Sequence, residues 1–210
     1  MEINPNTIPY ASTYKLLTGS VVPRPIGWVS SLNAEGQPNL APFSYFTVVC
    51  ANPPTVLFCP GYRKADREPK DTLKNVRATG EFVLNIVTED TANAMNISAT
   101  ELPADVNEFA LANLTPTPSQ KVAPPRVEES PIHFECKVTQ IIDINEGPGG
   151  GSIVLGQVVH MHVREDLLIG SDKIDISKLK PIGRLAGGGY TRVTDLFEMS
   201  RLPSQIRPIS

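Results

Sequence analysis

The sequence predicts a single mainly-β domain, a barrel or sandwich with peripheral helices. Three observations point there. β-prone apolar runs recur from Ile26 to Asp166, each bounded by turn residues. The helix-forming stretches between them are short. The chain also carries 20 prolines in 210 residues, roughly twice the usual share of ~5%. They are scattered among the apolar runs, which suits strands and loops and excludes a helical bundle. The count is about six or seven strands with two or three helices, a density that suggests a barrel or sandwich. No linker separates two cores, so residues 1–210 read as one domain with its core from 14 to 190.

The first strand signal is IGWVSSLN from Ile26, followed by a turn at Ala34-Glu35-Gly36 and the run PNLAPFSYFTVVC. Turn residues between two β-prone runs make a hairpin. Asn52-Pro53-Pro54 breaks the chain, and TVLFCP is a short apolar segment suited to a buried strand. After the charged stretch GYRKADREP, the segment KDTLKNVRATG predicts a short helix. Asp71 or Thr72 would cap it, Leu73 and Val76 would share a face, and Gly80 would stop it. EFVLNIV alternates, with Phe82, Leu84 and Ile86 on one side of a strand. Residues 88–113 are helical in composition, broken at Pro103. A proline-rich connector leads to the longest β signal. IHFECKVTQIIDIN and SIVLGQVVHMHVRED flank a loop from Gly147 to Gly151, an antiparallel hairpin. The tail holds RLAGGGYTRV and ends in proline-punctuated surface chain.

Composition removes several function classes. There are 19 basic and 22 acidic side chains, a net charge of −3, whereas a nucleic-acid binder needs a basic field. No run approaches the roughly 18 uninterrupted apolar residues of a membrane span. The N-terminus MEINPNTIPYASTYKLL lacks the charged and apolar regions of a signal peptide. Cys50, Cys59 and Cys136 sit in apolar runs and read as reduced, buried thiols. The expectation is a cytoplasmic protein with no nucleic-acid or membrane partner.

The common nucleotide motifs fail. GPGGGS has serine where G-x-G-x-x-G needs its last glycine, and it joins two strands rather than a strand and a helix. After Gly183 and Gly188, Gly189 and Tyr190 stand where a phosphate loop needs Lys and Ser/Thr. There is no G-x-S-x-G. His160 and His162 lie two apart on a strand and so share a face, as zinc ligands can. With His133 they are the only histidines, and they read as solvent-facing or ligand-contacting, with no metal site.

Two segments carry more. Lys70-Asp71-Thr72 opens a helix, whose unpaired N–H groups and partial positive charge suit a phosphate. Thr72 adds a hydroxyl, and Arg63, Lys64 and Lys70 add fixed positive charge. A capped surface helix behind a solvated loop accounts for the same residues. The second segment runs from Val29 to Pro54. Ser30-Ser31 ends a strand, and Ala41-Pro42-Phe43-Ser44-Tyr45-Phe46 sets hydroxyls beside aromatics. Pro42 would break the ladder and free backbone groups for a ring with polar edges, such as a flavin. An edge strand with a bulge is the alternative.

PRPIGWVSSLNAEGQPNLAPFSYFTVVCANPPTVLF, KDTLKNVRATGEFVLNI, SPIHFECKV and GQVVHMHV resemble the flavin-reductase-like family, over about residues 14–190. The P-R-P start and R-L-x-G-G-G-Y ending are similar to its flavoredoxin-like branch. The resemblance implies a six-stranded antiparallel FMN-binding split barrel with peripheral helices, assembled as a homodimer with FMN near the interface. It implies that Ser30 and Ser31 contact the ribityl-phosphate side, and that Ala41, Pro42, Phe43, Ser44 and Phe46 line the isoalloxazine. Arg63, Lys70, Asp71 and Thr72 would sit at the phosphate, Thr72 as hydroxyl donor and Lys70 as counter-charge. Arg24, Arg184 and Tyr190 match family motifs, the last two with a contact near the flavin or across the dimer. His133 or His162 would touch the nicotinamide or flavin edge. The function implied is NAD(P)H-dependent flavin reduction, with a monooxygenase or redox protein as possible recipient. The alternatives are a flavoredoxin-like carrier with tightly held FMN and a barrel that has lost flavin binding.

Overall fold

The structure is a computed structural model, described over residues 1–63, 66–147 and 149–205. After α1 (Tyr10–Ser20) come β1 (Gly27–Leu32), β2 (Pro38–Phe43), β3 (Phe46–Ala51) and β4 (Pro54–Phe58). Helix α2 (Asp71–Thr79) leads into β5 (Glu81–Ile86), α3 (Ala92–Ile97) and α4 (Glu108–Leu111). Two-residue strands β6 (Pro116–Thr117) and β7 (Arg126–Val127) pair in a strap. The long strands β8 (Ile132–Asn145) and β9 (Gly151–Val163) follow. The chain then forms β10 (Leu168–Ile169), β11 (Lys173–Ile174), α5 (Ile176–Leu179), and the hairpin of β12 (Ile182–Arg184) with β13 (Tyr190–Arg192).

One antiparallel sheet of seven strands dominates, in the order β2-β1-β5-β8-β9-β4-β3. Seven lies within the six or seven read from the residues and is one more than the six that the resemblance implied. The extra strand arises because PNLAPFSYFTVVC is not one strand. It bends at Ser44-Tyr45, and its halves run to opposite edges of the sheet. The sheet coils around an apolar interior in which Phe58 meets Phe43 and Phe82, each at 5.1 Å between ring centroids. Leu73 and Val76 of α2 plug this interior. Gly156 has no freedom to change here, because a Cβ would stand 2.4 Å from the Phe82 ring.

The other face of the sheet is also covered, so β5 is buried on both sides. Trp28, Leu40, Met95, Phe109 and Val127 form this outer core under α3, α4 and the strap. The Trp28 indole N–H donates to Ser98 at 2.9 Å, which satisfies its one polar atom.

Four expectations change. Residues 88–113 hold only the short helices α3 and α4, the rest being turns. Helix α1, which the sequence reading did not assign, buries only Thr18, so no apolar stripe announced it. The N-cap of α2 is Lys70, not Asp71 or Thr72, and it makes no side-chain cap bond. Of the three free thiols only Cys136 is buried, while Cys50 is exposed and Cys59 lies between. Pro148 of the glycine loop, and residues 206–210 at the tail, lie outside the described residues.

Candidate functional site

At one end of β2, side chains converge on the start of α2. Thr72 is buried, and its hydroxyl accepts from the Asn39 amide at 2.9 Å. Asn75, one turn on, donates to the Ser31 hydroxyl at 3.0 Å. The Leu73 and Lys74 N–H groups bond the Lys70 carbonyl at 2.9 and 3.2 Å, and with no side-chain cap the N–H groups of Asp71 and Thr72 face the helix start, where an anion can be held. The charges beside them are already partly neutralised. Arg63 bonds Asp66 at 2.6 Å and reaches Asp71 at 3.5 Å, and Lys74 lies 3.7 Å from Asp71. Lys70 is the residue immediately before the first turn. Lys64 lies outside the described residues.

At the other end of β2, a mostly apolar cavity of about 470 Å³ opens between α1 and the Ser44-Tyr45 bend. Leu17, Val21, Pro23, Arg24, Ser44, Tyr45 and Phe46 line it. Phe46 packs on Gly27, where a Cβ would come within 2.9 Å of its ring. Arg24 is buried and acts as a clamp. Its guanidinium donates to the carbonyls of Thr18 (2.7 Å), Val21 (2.8 Å) and Leu185 (3.1 Å), and to the Ser44 hydroxyl (3.3 Å). Burial raises the Tyr45 phenol above its ordinary range, with nearby Tyr14 adding to the effect.

Between the two ends runs the outer edge of β2. The Leu40 N–H points away from β1 and donates to the buried Glu108 carboxylate at 3.1 Å. The two-residue period then turns the Pro42 carbonyl outward as well. Pro42 pairs opposite Trp28 in an unbroken ladder, so its missing N–H falls on the free edge. The expected ladder break is therefore corrected: Pro42 frees a carbonyl, not a stretch of backbone.

A second polar group lies on the outer face of β8 and β9. His133 stands opposite His162, and Glu135 opposite His160, all four on one face. Glu135 is fully buried and accepts from His162 Nε2 (2.6 Å) and the backbone N–H groups of Gln120 (2.8 Å) and Lys121 (2.5 Å). Burial alone would raise its pKa, but these bonds outweigh it and hold the carboxyl below its usual range. Burial pushes His133 down to about 4, so it is neutral at pH 7. Its Nε2 pairs with the Val127 carbonyl at 2.8 Å, which leaves Nδ1 buried without a partner.

Residues 18–173 match the family model described as Flavin reductase like domain. The chain belongs to this flavin-reductase-like family. Component B of nitrilotriacetate monooxygenase from Bacillus cereus is 39% identical, with a TM-score of 0.89 over 95% of this chain and 98% of that one. The 2-nitrobenzoate 2-nitroreductase NbaA of Pseudomonas fluorescens is 34% identical, with a TM-score of 0.85 over 98% and 100%. A Shewanella frigidimarina protein assigned as a flavin reductase with a split barrel domain shares 18% identity, with a TM-score of 0.82 over 96% and 100%. The fold is the split barrel, membership makes the chain an oxidoreductase, and it implies a flavin cofactor.

In this flavin-reductase-like chain the predicted residues do not form one cluster. Ser31, Asp71, Thr72 and Arg63 gather at the start of α2. Arg24, Ser44 and Phe46 line the cavity, and Ala41 and Pro42 lie half-exposed along β2 between the two ends. Phe43 faces the interior and contacts Phe58. Ser30 is not with Ser31. Strand alternation turns it to the other face, where it is fully buried between Pro125 (2.5 Å) and Asn85 (3.3 Å). Arg184 stacks on Tyr190 with 4.5 Å to the ring centroid, and the Tyr190 hydroxyl donates to Asn96 at 3.3 Å. His133 and His162 line a separate cavity of about 210 Å³. Asn39 and Asn75 lie outside the predicted set. The signal was present: Asn39 shares the face of Ala41 and Phe43, and Asn75 shares that of Thr72.

Proposed function

We propose that the chain binds FMN along β2 and works as an NAD(P)H-dependent flavin reductase. The observation that carries this is the placing of an uncapped helix start and an apolar cavity at the two ends of one edge strand. Asn39 and Phe43 are four residues apart, roughly 14 Å along an extended strand, a span suited to a ribityl phosphate joining anion site to ring site. The N–H groups of Asp71 and Thr72 and the Thr72 hydroxyl would hold the phosphate, with Lys70 as counter-charge. The Pro42 carbonyl and Ser44 hydroxyl meet polar ring edges, while Phe46 and Val21 exclude water from the ring. The flavin supplies hydride acceptance and one- or two-electron transfer. The protein's part is then binding and orientation, so no side chain has to act as acid or base.

A homodimer belongs to the same reading. Tyr14 and Leu17 of α1, Val21 just after it, and Val48 and Val49 of β3 are exposed apolar residues, and Leu17 and Val21 line the cavity. A second copy packed there would close the ring site. Similarity to a monooxygenase component supports a monooxygenase as recipient of reduced flavin. Three free thiols suit the cytoplasm. Among the described residues, no helix is long and apolar enough to cross a membrane.

The test is oxidation of NADH and NADPH by the purified protein with added FMN. Steady turnover with one donor is expected. Absence of turnover with both, together with flavin that survives gel filtration, would replace this reading with an electron carrier.

A further inference from the structure

The outer face of β8 and β9 is built like a metal centre, independently of the flavin. We propose that Glu135, His160 and His162 bind a divalent transition-metal ion such as zinc. His160 and His162 are two apart on β9 and project side by side, with 4.7 Å between ring centroids. Glu135 reaches them from the neighbouring strand, in register with His160. One potential ligand atom from each lies within 4.8 Å of the others. Ligands at about 2.0–2.1 Å around a tetrahedral ion stand roughly 3.4 Å apart. Small side-chain rotations cover that difference, and the β8–β9 backbone can stay where it is.

The surroundings are those of a ligand set rather than of a surface cluster. Glu135 is fully buried, yet its oxygens are fixed by two backbone N–H groups from the strap. Such outer bonds orient a ligating carboxylate. His162 keeps 21% of its side-chain surface, and the cavity of about 210 Å³ beside it leaves room for water to complete the coordination. The ion takes the place of the proton now shared by His162 Nε2 and Glu135 Oε1. His160 supplies the third ligand, and imidazole with carboxylate suits zinc, nickel or cobalt.

The test is equilibrium dialysis of the intact, tag-free protein against micromolar Zn²⁺ after EDTA treatment, with zinc measured by atomic emission. Retention of roughly one zinc per chain is expected, with affinity lowered about tenfold or more in His160→Ala, His162→Ala and Glu135→Gln. Circular dichroism in EDTA checks that each variant is folded. Cys50→Ser should keep its zinc. The proposal is overturned if the wild-type chain retains none, if folded histidine variants bind as the wild type does, or if Cys50→Ser abolishes binding. The flavin titration and nicotinamide turnover are separate readouts, so either reading can fail alone.

Discussion

The two edges of the main sheet come from one stretch of sequence and meet solvent in opposite ways. β2 and β3 are separated only by Ser44 and Tyr45, yet they occupy opposite ends of the seven-strand order. The β2 edge is polar and blunted. Pro38 and Pro42 withhold N–H groups, and Glu108 takes the Leu40 N–H. The β3 edge is apolar: Val48, Val49 and Cys50 are exposed, and the strand is bulged between Val48 and Cys50. An edge with its donors removed or satisfied is closed to another strand, while its outward carbonyls can still accept from a ligand's donors. An apolar edge calls for protein. On the proposed reading, small-molecule binding would fall to the first edge and self-association to the second.

The largest expected effect breaks the apolar edge. Val48 is 63% exposed, so Val48→Lys should leave the fold of one chain within about 0.5 kcal/mol of the wild type. Two copies meeting through β3 would bury opposed lysines, at a cost of several kcal/mol. A loss of roughly a hundredfold in dimer affinity is expected, read by light scattering across a dilution series. Elution of the variant as an unchanged dimer would remove β3 from the interface.

Next in size is the polar edge. Glu108→Ala leaves the buried Leu40 N–H without its acceptor, at a cost of about 1–3 kcal/mol, measurable by urea unfolding. Glu108→Gln keeps an acceptor and tests charge separately. Burial raises the Glu108 pKa in the folded chain. The folded state therefore holds this proton more tightly than the unfolded state does. The carboxyl lowers stability as pH climbs from its unfolded value through the raised one. The glutamine variant should lose that downward slope, and an identical pH profile would show that the Glu108 pKa does not differ between the folded and unfolded states.

This contrast was only half legible in the sequence. The β1–β2 turn, the helix ending at Gly80 and the long β8–β9 hairpin each carry a local signal, and each formed as expected. The bend at Ser44-Tyr45 carries none strong enough, because the run is β-prone on both sides and only barrel closure decides which edge each half joins. Ser30 and Ser31 look equivalent as neighbours. Strand alternation parts them, and the covering by Pro125, 95 residues away, shows only in three dimensions. Glu108 lies in a short helix whose contact to β2 spans 68 residues. Long-range covering of an edge leaves no periodic trace.

The smallest effects sharpen the ligand side of the comparison. Thr72 is buried and held by Asn39, so Thr72→Ala removes a hydroxyl without exposing the core. FMN affinity should fall by about 0.5–1.5 kcal/mol, one ordinary hydrogen bond, in a fluorescence titration. Lys70 acts through charge at the rim, where salt screens it over about 10 Å at 0.1 M. Lys70→Ala should therefore weaken FMN binding more at low salt than at high salt, whereas the Thr72 effect should be nearly salt-independent. The pair separates a buried directional contact from the field of a half-buried charge at the same helix start. Titrations unchanged in both variants would move the phosphate off α2, and the β2 edge would then lose its claim to the flavin.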